Sequence, residues 1–232
     1  MMDFKAVIFD MDGTLLDTLK DLHIALNHSL RACGYGERTR EEVQSFIGDG
    51  VGLLIARAIP DSLKANDDDS PDRQEKFSSA CKAVGEEFRN FYIEHGEDNT
   101  YPYDGIVPLL NALKERGIKT AVVSNKVQEA VERLNDRLFS GIFDAQEGDR
   151  EGVRLKPAPD MLLDALAKLS VDKSEAVYVG DGDADILAAS RAGLKCISVC
   201  YGYRDEDFLR AHGGKIFARD VGELAKLLNV NL

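Results

Sequence analysis

Phe4-Lys5-Ala6-Val7-Ile8-Phe9 runs straight into Asp10-Met11-Asp12-Gly13-Thr14-Leu15. The first half is a short apolar run rich in Val and Ile, which predicts a buried strand. The second half ends that strand in two acids and a glycine. Residues two apart on an extended chain face the same way, so Asp10 and Asp12 are expected in one site at the strand's carboxyl end. Gly13 permits a sharp exit of the chain. Two carboxylates this close repel, and they persist together where a cation neutralises them or one holds a proton. Both conditions suit phosphoryl transfer. Mg²⁺ prefers carboxylate oxygens, waters and substrate phosphate, and a carboxylate nucleophile can form an aspartyl-phosphate. Taken alone, the pair can also be read as capping aspartates on a solvated turn.

Working outward, strands and helices alternate with one helical interruption. Leu19 to Arg31 has helical spacing, with Leu19, Leu22, Leu26 and Leu30 on one face. Arg40 to Ile47 and Val51 to Ala58 read as short helices, Asn66 to Asp72 as an exposed acidic loop, and Arg73 to Glu94 as a helix whose apolar positions are Phe77, Val84, Phe88 and Phe91. After Tyr101-Pro102 the rhythm changes. Helices are predicted at Val107–Arg116, Glu129–Leu138, Pro159–Leu169, Ala184–Ala192, Asp205–Ala211 and Val221–Leu228. Strands are predicted at Lys119–Val123, Ala176–Val179 and Cys196–Val199. Alternation of this kind implies right-handed crossovers and a parallel sheet covered on both faces. The expected architecture is therefore α/β: a doubly wound, Rossmann-like parallel-sheet core from residues 1–16 and 101–232. A helical domain spanning 17–100 is inserted into it. An insert after the first strand emerges at the carboxyl edge of the sheet, where open α/β sheets bind ligands, and it is expected to act as a lid.

Further strand ends carry chemistry. Ser124-Asn125-Lys126 follows the second core strand; a hydroxyl and backbone N–H groups at a helix N-terminus suit a phosphate oxygen, although Ser and Asn are also ordinary N-caps. Lys156, in Leu155-Lys156-Pro157-Ala158-Pro159, has neighbours of restricted φ; a fixed ammonium there could neutralise a carboxylate and a transferring phosphoryl group. In Gly180-Asp181-Gly182-Asp183-Ala184-Asp185 the glycines allow close approach of a ligand, Asp181 is placed as a metal ligand, and Asp183 and Asp185 favour a helix dipole. Each motif has an ordinary reading alone. Their order after successive strands puts two acids, a hydroxyl, a lysine and a third acid in one site.

Composition removes several classes. The chain has 232 residues and carries a formal charge of −12. Such acidity argues against a nucleic-acid binder and a polybasic membrane-surface module. No stretch reaches the roughly 20 apolar residues of a membrane helix, and Asp3, Lys5 and Asp10 interrupt the N-terminal apolar run, unlike a signal peptide. Cys33, Cys81, Cys196 and Cys200 make no Cys-x-x-Cys pair, and His23, His28, His95 and His212 are scattered. Reduced cysteines, a cytoplasmic location and no zinc site are the expectations.

With these motifs in order, the sequence resembles the haloacid dehalogenase superfamily over essentially its whole length, with the helical insert in the place of that superfamily's cap. Phe46-Ile47-Gly48-Asp49-Gly50, Ser124-Asn125-Lys126, Lys156-Pro157-Ala158-Pro159-Asp160, Asp181 to Gly193 and Tyr201-Gly202-Tyr203 point to its phosphoglycolate phosphatase branch. The resemblance implies a Mg²⁺-dependent phosphatase of a small phosphorylated metabolite. Asp10 is then the nucleophile, and Asp12 protonates the leaving alcohol and later activates water. Ser124 and Lys156 hold phosphoryl oxygens, with Gly13, Thr14 and Asn125 also lining the substrate. The metal ligands are the Asp10 side chain, the Asp12 backbone carbonyl and Asp181, with Asp185 behind them orienting metal waters or Lys156. Ca²⁺ is expected to inhibit, since it takes more ligands at longer distances. Gly48 to Gly50 reads as a substrate-reading loop or a plain turn, and Arg57 as an exposed helical arginine. Alternatives are a β-phosphoglucomutase-like mutase, a pyrophosphatase of the same branch, and a non-catalytic binding protein on the same fold. Both monomer and homodimer fit the sequence.

Overall fold

The computed structural model describes residues 4–64 and 71–232. Chain order is β1 (Ala6–Phe9), β2 (Leu16–Asp17), α1 (Leu19–Ala32), α2 (Arg40–Phe46), α3 (Val51–Ala58), α4 (Pro71–His95), β3 (Tyr101–Pro102), α5 (Ile106–Glu115), β4 (Lys119–Val127), α6 (Gln128–Phe139), β5 (Ala145–Asp149), α7 (Asp160–Leu169), β6 (Ala176–Gly180), α8 (Asp183–Ala192), β7 (Lys195–Val199), α9 (Glu206–Ala211), β8 (Ile216–Ala218) and α10 (Val221–Leu227). The chain divides into two compact units, Met1–Asp17 with Tyr101–Leu232, and Thr18–Thr100. Asp17, expected in the insert, stays with the larger unit because β2 pairs it with Tyr101 of β3.

The larger unit is built on a six-stranded sheet of order β5-β4-β1-β6-β7-β8, parallel throughout. β1 lies between β4 and β6, with Phe9 opposite both Val122 and Val179. β1 and β6 therefore end side by side, level with the middle of β4, which runs on past them to Val127. All of β1 is buried because each face meets its own core. Val7 and Phe9 join Val122, Val177 and Val179 under α5, α6 and α10. Ala6 and Ile8 join Ala121, Val123, Ala176 and Tyr178 under α7 and α8. The period-2 alternation of a strand thus feeds two helix layers.

Several elements differ from the sequence-based expectation. β4 was expected to end at Val123 and continues to Val127, so Ser124-Asn125-Lys126 is strand and not a helix start; α6 begins at Gln128 with Val127 as its N-cap and no side-chain capping bond. β5, whose sequence Ala-Gln-Glu-Gly-Asp shows no apolar run, is the edge strand beside β4. β8 and the β2–β3 ribbon were not expected.

In the smaller unit, α1 packs along α4. Leu19, Leu22, Leu26 and Leu30 are all buried, and α4 buries Ala80, Val84 and Phe88, while Phe77 and Phe91 are half-buried. Residues 66–70 of the expected acidic loop lie outside the described residues, and Pro71 and Asp72 begin α4. Thr39 and Glu42 form a capping box that starts α2. Arg57 is half-buried, not a free surface arginine. It donates to the Phe46 carbonyl at 2.7 Å and to Asp49 at 2.5 Å, and so fastens the Gly48–Gly50 loop. Among the described residues no helix is long and apolar enough to cross a membrane.

Candidate active site

The site begins where β1 ends. The Asp10 amide still donates to Val179 O at 2.8 Å, which continues the sheet and fixes the acid beside β6. The chain then turns tightly: Leu15 and Leu16 amides both bond Met11 O at 2.9 Å, and Gly13 N–H bonds Leu16 O at 2.8 Å. Gly13 has φ +84°, and a Cβ there would lie 2.2 Å from Asp181 Oδ2. The glycine is needed both for its left-handed backbone and for the approach of Asp181.

Lys156 is the centre of the arrangement. Its ammonium lies 2.6 Å from Asp10 Oδ1 and 2.7 Å from Asp185 Oδ1, and it donates to the Tyr178 hydroxyl at 3.0 Å. Tyr178 in turn donates to Asp185 Oδ1 at 2.8 Å. Asn125 grips the Lys156 main chain at both ends, accepting from its N–H at 2.8 Å and donating to its carbonyl at 2.9 Å. Burial by itself would lower the lysine's pKa; the Asp10 and Asp185 charges outweigh that and raise it above its ordinary value. Lys156 is therefore a fixed cation at neutral pH. Asp10 moves the other way from a normal carboxyl: burial raises its pKa well above the ordinary range, helped by the Asp185 charge and opposed by Lys156.

Asp181 follows β6. It accepts from Thr14 Oγ1 at 3.2 Å and from Tyr203 N–H at 2.8 Å. Burial, then the Asp185 charge, pushes it up to about 7. Asp185, in the first turn of α8, accepts from Gly182 N–H at 2.9 Å as well as from Lys156 and Tyr178. One carboxylate oxygen each of Asp10, Asp181 and Asp185 lies within 4.8 Å of the others. Hard oxygen donors gathered this closely, two of them with raised proton affinity, are the chemistry of a site for a hard divalent cation. Asp185 already accepts from three protein donors, so Asp10 and Asp181 have the greater capacity left for a cation.

The expected site residues are thus sorted by position. Asp10, Lys156, Asp181 and Asp185 gather directly. Thr14 and Asn125, expected against the substrate, spend these bonds on Asp181 and Lys156, and Gly13 N–H is taken by Leu16. Ser124 is buried in β4 and accepts from Lys126 N–H at 3.3 Å. The Asp12 carboxylate stands with a different cation: its Oδ2 lies 3.2 Å from Lys126 Nζ. Sequence reasoning missed Tyr178, which reads as one more apolar strand residue. Lys126, beside Ser124 in the same motif, has no task in the sequence-based reading.

A doubly wound parallel sheet with a buried carboxylate–lysine cluster across adjacent strand ends defines an α/β enzyme of the kind that works at its sheet edge. The chain belongs to the haloacid dehalogenase-like hydrolase family, whose family model matches residues 7–199. Among its relatives, a phosphoglycolate phosphatase of Aquifex aeolicus is 36% identical over 200 residues, 86% of each chain. An N-acetylmuramic acid 6-phosphate phosphatase of Pseudomonas aeruginosa is 34% identical over 215 residues, 92% of this chain and 89% of that one. A solved structure from Lactobacillus delbrueckii subsp. bulgaricus, provisionally named a phosphoglycolate phosphatase, superposes with TM-score 0.89 at 34% identity, covering 98% of this chain and 99% of the other.

Proposed function

We propose that this chain is a Mg²⁺-dependent phosphatase that hydrolyses a small phosphate monoester, phosphoglycolate first among the substrates to try, through an aspartyl-phosphate on Asp10. The observation that carries this reading is the Asp10–Lys156 contact of 2.6 Å at the buried end of β1. A carboxylate held against a permanent cation has one oxygen oriented and the other able to attack phosphorus. As the Asp10 oxygen bonds to phosphorus, the ester P–O bond breaks, and Asp12 gives its proton to the departing alcohol oxygen. Asp12 then takes a proton from the water that opens the aspartyl-phosphate, releasing phosphate and restoring both acids. Ser124 and Lys156 hold the phosphoryl oxygens. Asp10 and Asp181 would hold Mg²⁺, with the Asp12 backbone carbonyl and with Asp185 supporting from behind. When bound, the ion offsets negative charge shared between the acids and the phosphoryl group. In this reading the unit of residues 18–100 is the helical cap, and substrate choice belongs to it.

The test is phosphate release from a panel holding phosphoglycolate, N-acetylmuramic acid 6-phosphate, β-glucose 1-phosphate, nucleotides and pyrophosphate, with and without Mg²⁺. Metal-dependent release from a monoester, abolished in Asp10→Asn while the circular dichroism spectrum is unchanged, is the expected result. Equal turnover by Asp10→Asn would remove the mechanism. Release from pyrophosphate alone, or isomerisation of glucose 1-phosphate without release, would replace the monoester reading.

A further inference from the structure

Lys126 is buried, charged and given no task by the mechanism above. Its side chain is 6% exposed and that of Asp12 17%, and the two meet at 3.2 Å between Nζ and Oδ2. The other oxygen, Asp12 Oδ1, is buried and has no hydrogen-bond partner among the described residues. One carboxylate thus carries two unlike oxygens. A lysine is an expensive thing to bury, and this one reaches its position through a local irregularity in the sheet. Between Val123 and Val127 of β4, the partner strand β5 advances only from Glu147 to Asp149. The extra length sits at Ser124-Asn125-Lys126, and such a bulge re-aims side chains next to a site. The sheet makes room for it with Gly148, where a Cβ would stand 2.8 Å from Lys126 O and 2.6 Å from Gln128 Cα.

We propose that Lys126 is a positioning residue whose ammonium holds Oδ2 of Asp12, leaving Oδ1 as the oxygen that carries the proton to the leaving group and from the attacking water. Oδ2 can accept from Lys126 whether Oδ1 bears a proton or not, so the contact survives both halves of the cycle. Lys156 serves the nucleophile and Lys126 serves the proton carrier, one buried cation for each acid of the Asp10-Met11-Asp12 pair. This inference rests on the phosphatase reading.

The experiment is a leaving-group series measured as kcat/KM, which reports events up to formation of the aspartyl-phosphate. The esters run from phosphoglycolate and glycerol phosphate, whose alkoxides need a proton, to p-nitrophenyl phosphate, whose phenolate leaves as a stable anion. Lys126→Met is expected to lose about 100-fold on the alkyl esters, the ordinary worth of a positioned general acid, and less than about tenfold on the aryl ester. Lys126→Arg should recover part of the alkyl activity. In an Asp12→Asn background, Lys126→Met should change nothing further, because the partner it acts through is gone. A uniform loss across the series, or an additive loss in the Asp12→Asn background, would overturn the proposal. If Lys126→Met does not fold, by its near-ultraviolet circular dichroism, Lys126→Gln and Lys126→Arg carry the same comparison. No release by the wild-type chain from any ester strikes the phosphatase reading itself. An active wild type in which Asp12→Asn is sensitive to the leaving group and the Lys126 variants are not strikes this inference alone.

Discussion

Tyr178 contributes no charge to the site, yet its hydroxyl touches both Lys156 and Asp185. Tyr178→Phe keeps the ring in its core and withdraws one partner from each of two buried ions. The expected cost is about 2 kcal/mol of stability, read by urea unfolding, with kcat/KM reduced about tenfold. An unchanged midpoint would mean that water replaces the hydroxyl. Asp181 makes the site respond to pH. Its carboxyl, at about 7 in the fold, sits near 3.9 in an unfolded chain. The metal-free fold therefore holds this proton to higher pH than the unfolded chain does. The stability it contributes is full below about pH 4 and lost as pH rises to about 7. In the proposed reading a divalent cation held by Asp181 displaces the same proton, so its stabilisation is expected to grow over that window. Added Mg²⁺ is expected to raise the melting temperature by about 5 °C more at pH 8 than at pH 5. An increment independent of pH, or one largest in acid, would contradict this.

At the scale of elements, the turn after β1 tolerates little change. Gly13→Ala must both adopt a φ of +84° and drive a methyl group into the Asp181 carboxylate. The backbone strain is worth about 1–3 kcal/mol, and displacing the acid is expected to lower kcat/KM about 100-fold and weaken Mg²⁺ binding in parallel. Titration calorimetry with Mg²⁺ checks the second part. The same scale shows what a sequence can and cannot reveal. β1 and β6 are legible because burial on both faces demands continuous apolar residues. β5 is not, because as an edge strand it carries Gln146, Gly148 and a buried Glu147 that is paired with Arg150 and Lys168. β4 is legible only as far as Val123, since the polar Ser124-Asn125-Lys126 looks like the end of a strand and is its bulged continuation. Spacing did indicate that Asp10, Lys156 and the acids after β6 gather at one edge. It carried no information on Asp12 facing Lys126 or Tyr178 facing Lys156, because those contacts depend on side-chain directions across the sheet.

Across the whole molecule, the chain passes between its two units at residues 17–18 and 100–101. On the larger unit's side of those crossings, Asp17 and Tyr101 pair. On the smaller unit's side, buried Asp21 accepts from Asn99 N–H, Asn99 Nδ2 and Thr100 Oγ1, each at 2.8 Å. Asp21→Ala leaves those donors without a carboxylate and is expected to cost about 3 kcal/mol, seen as faster proteolysis within residues 18–100. Equal proteolysis would show that the α1–α4 packing suffices. The sheet order has one more consequence. β1 is synthesised before both of its neighbours, β4 and β6, which come more than a hundred residues later. Until they leave the ribosome, Ala6–Phe9 is an apolar segment with two open edges, and Asp10 has neither its lysine nor its fellow acids. A nascent chain is thus sticky and inert together, and a message truncated before β6 would yield a client for chaperones and proteases and no enzyme at all.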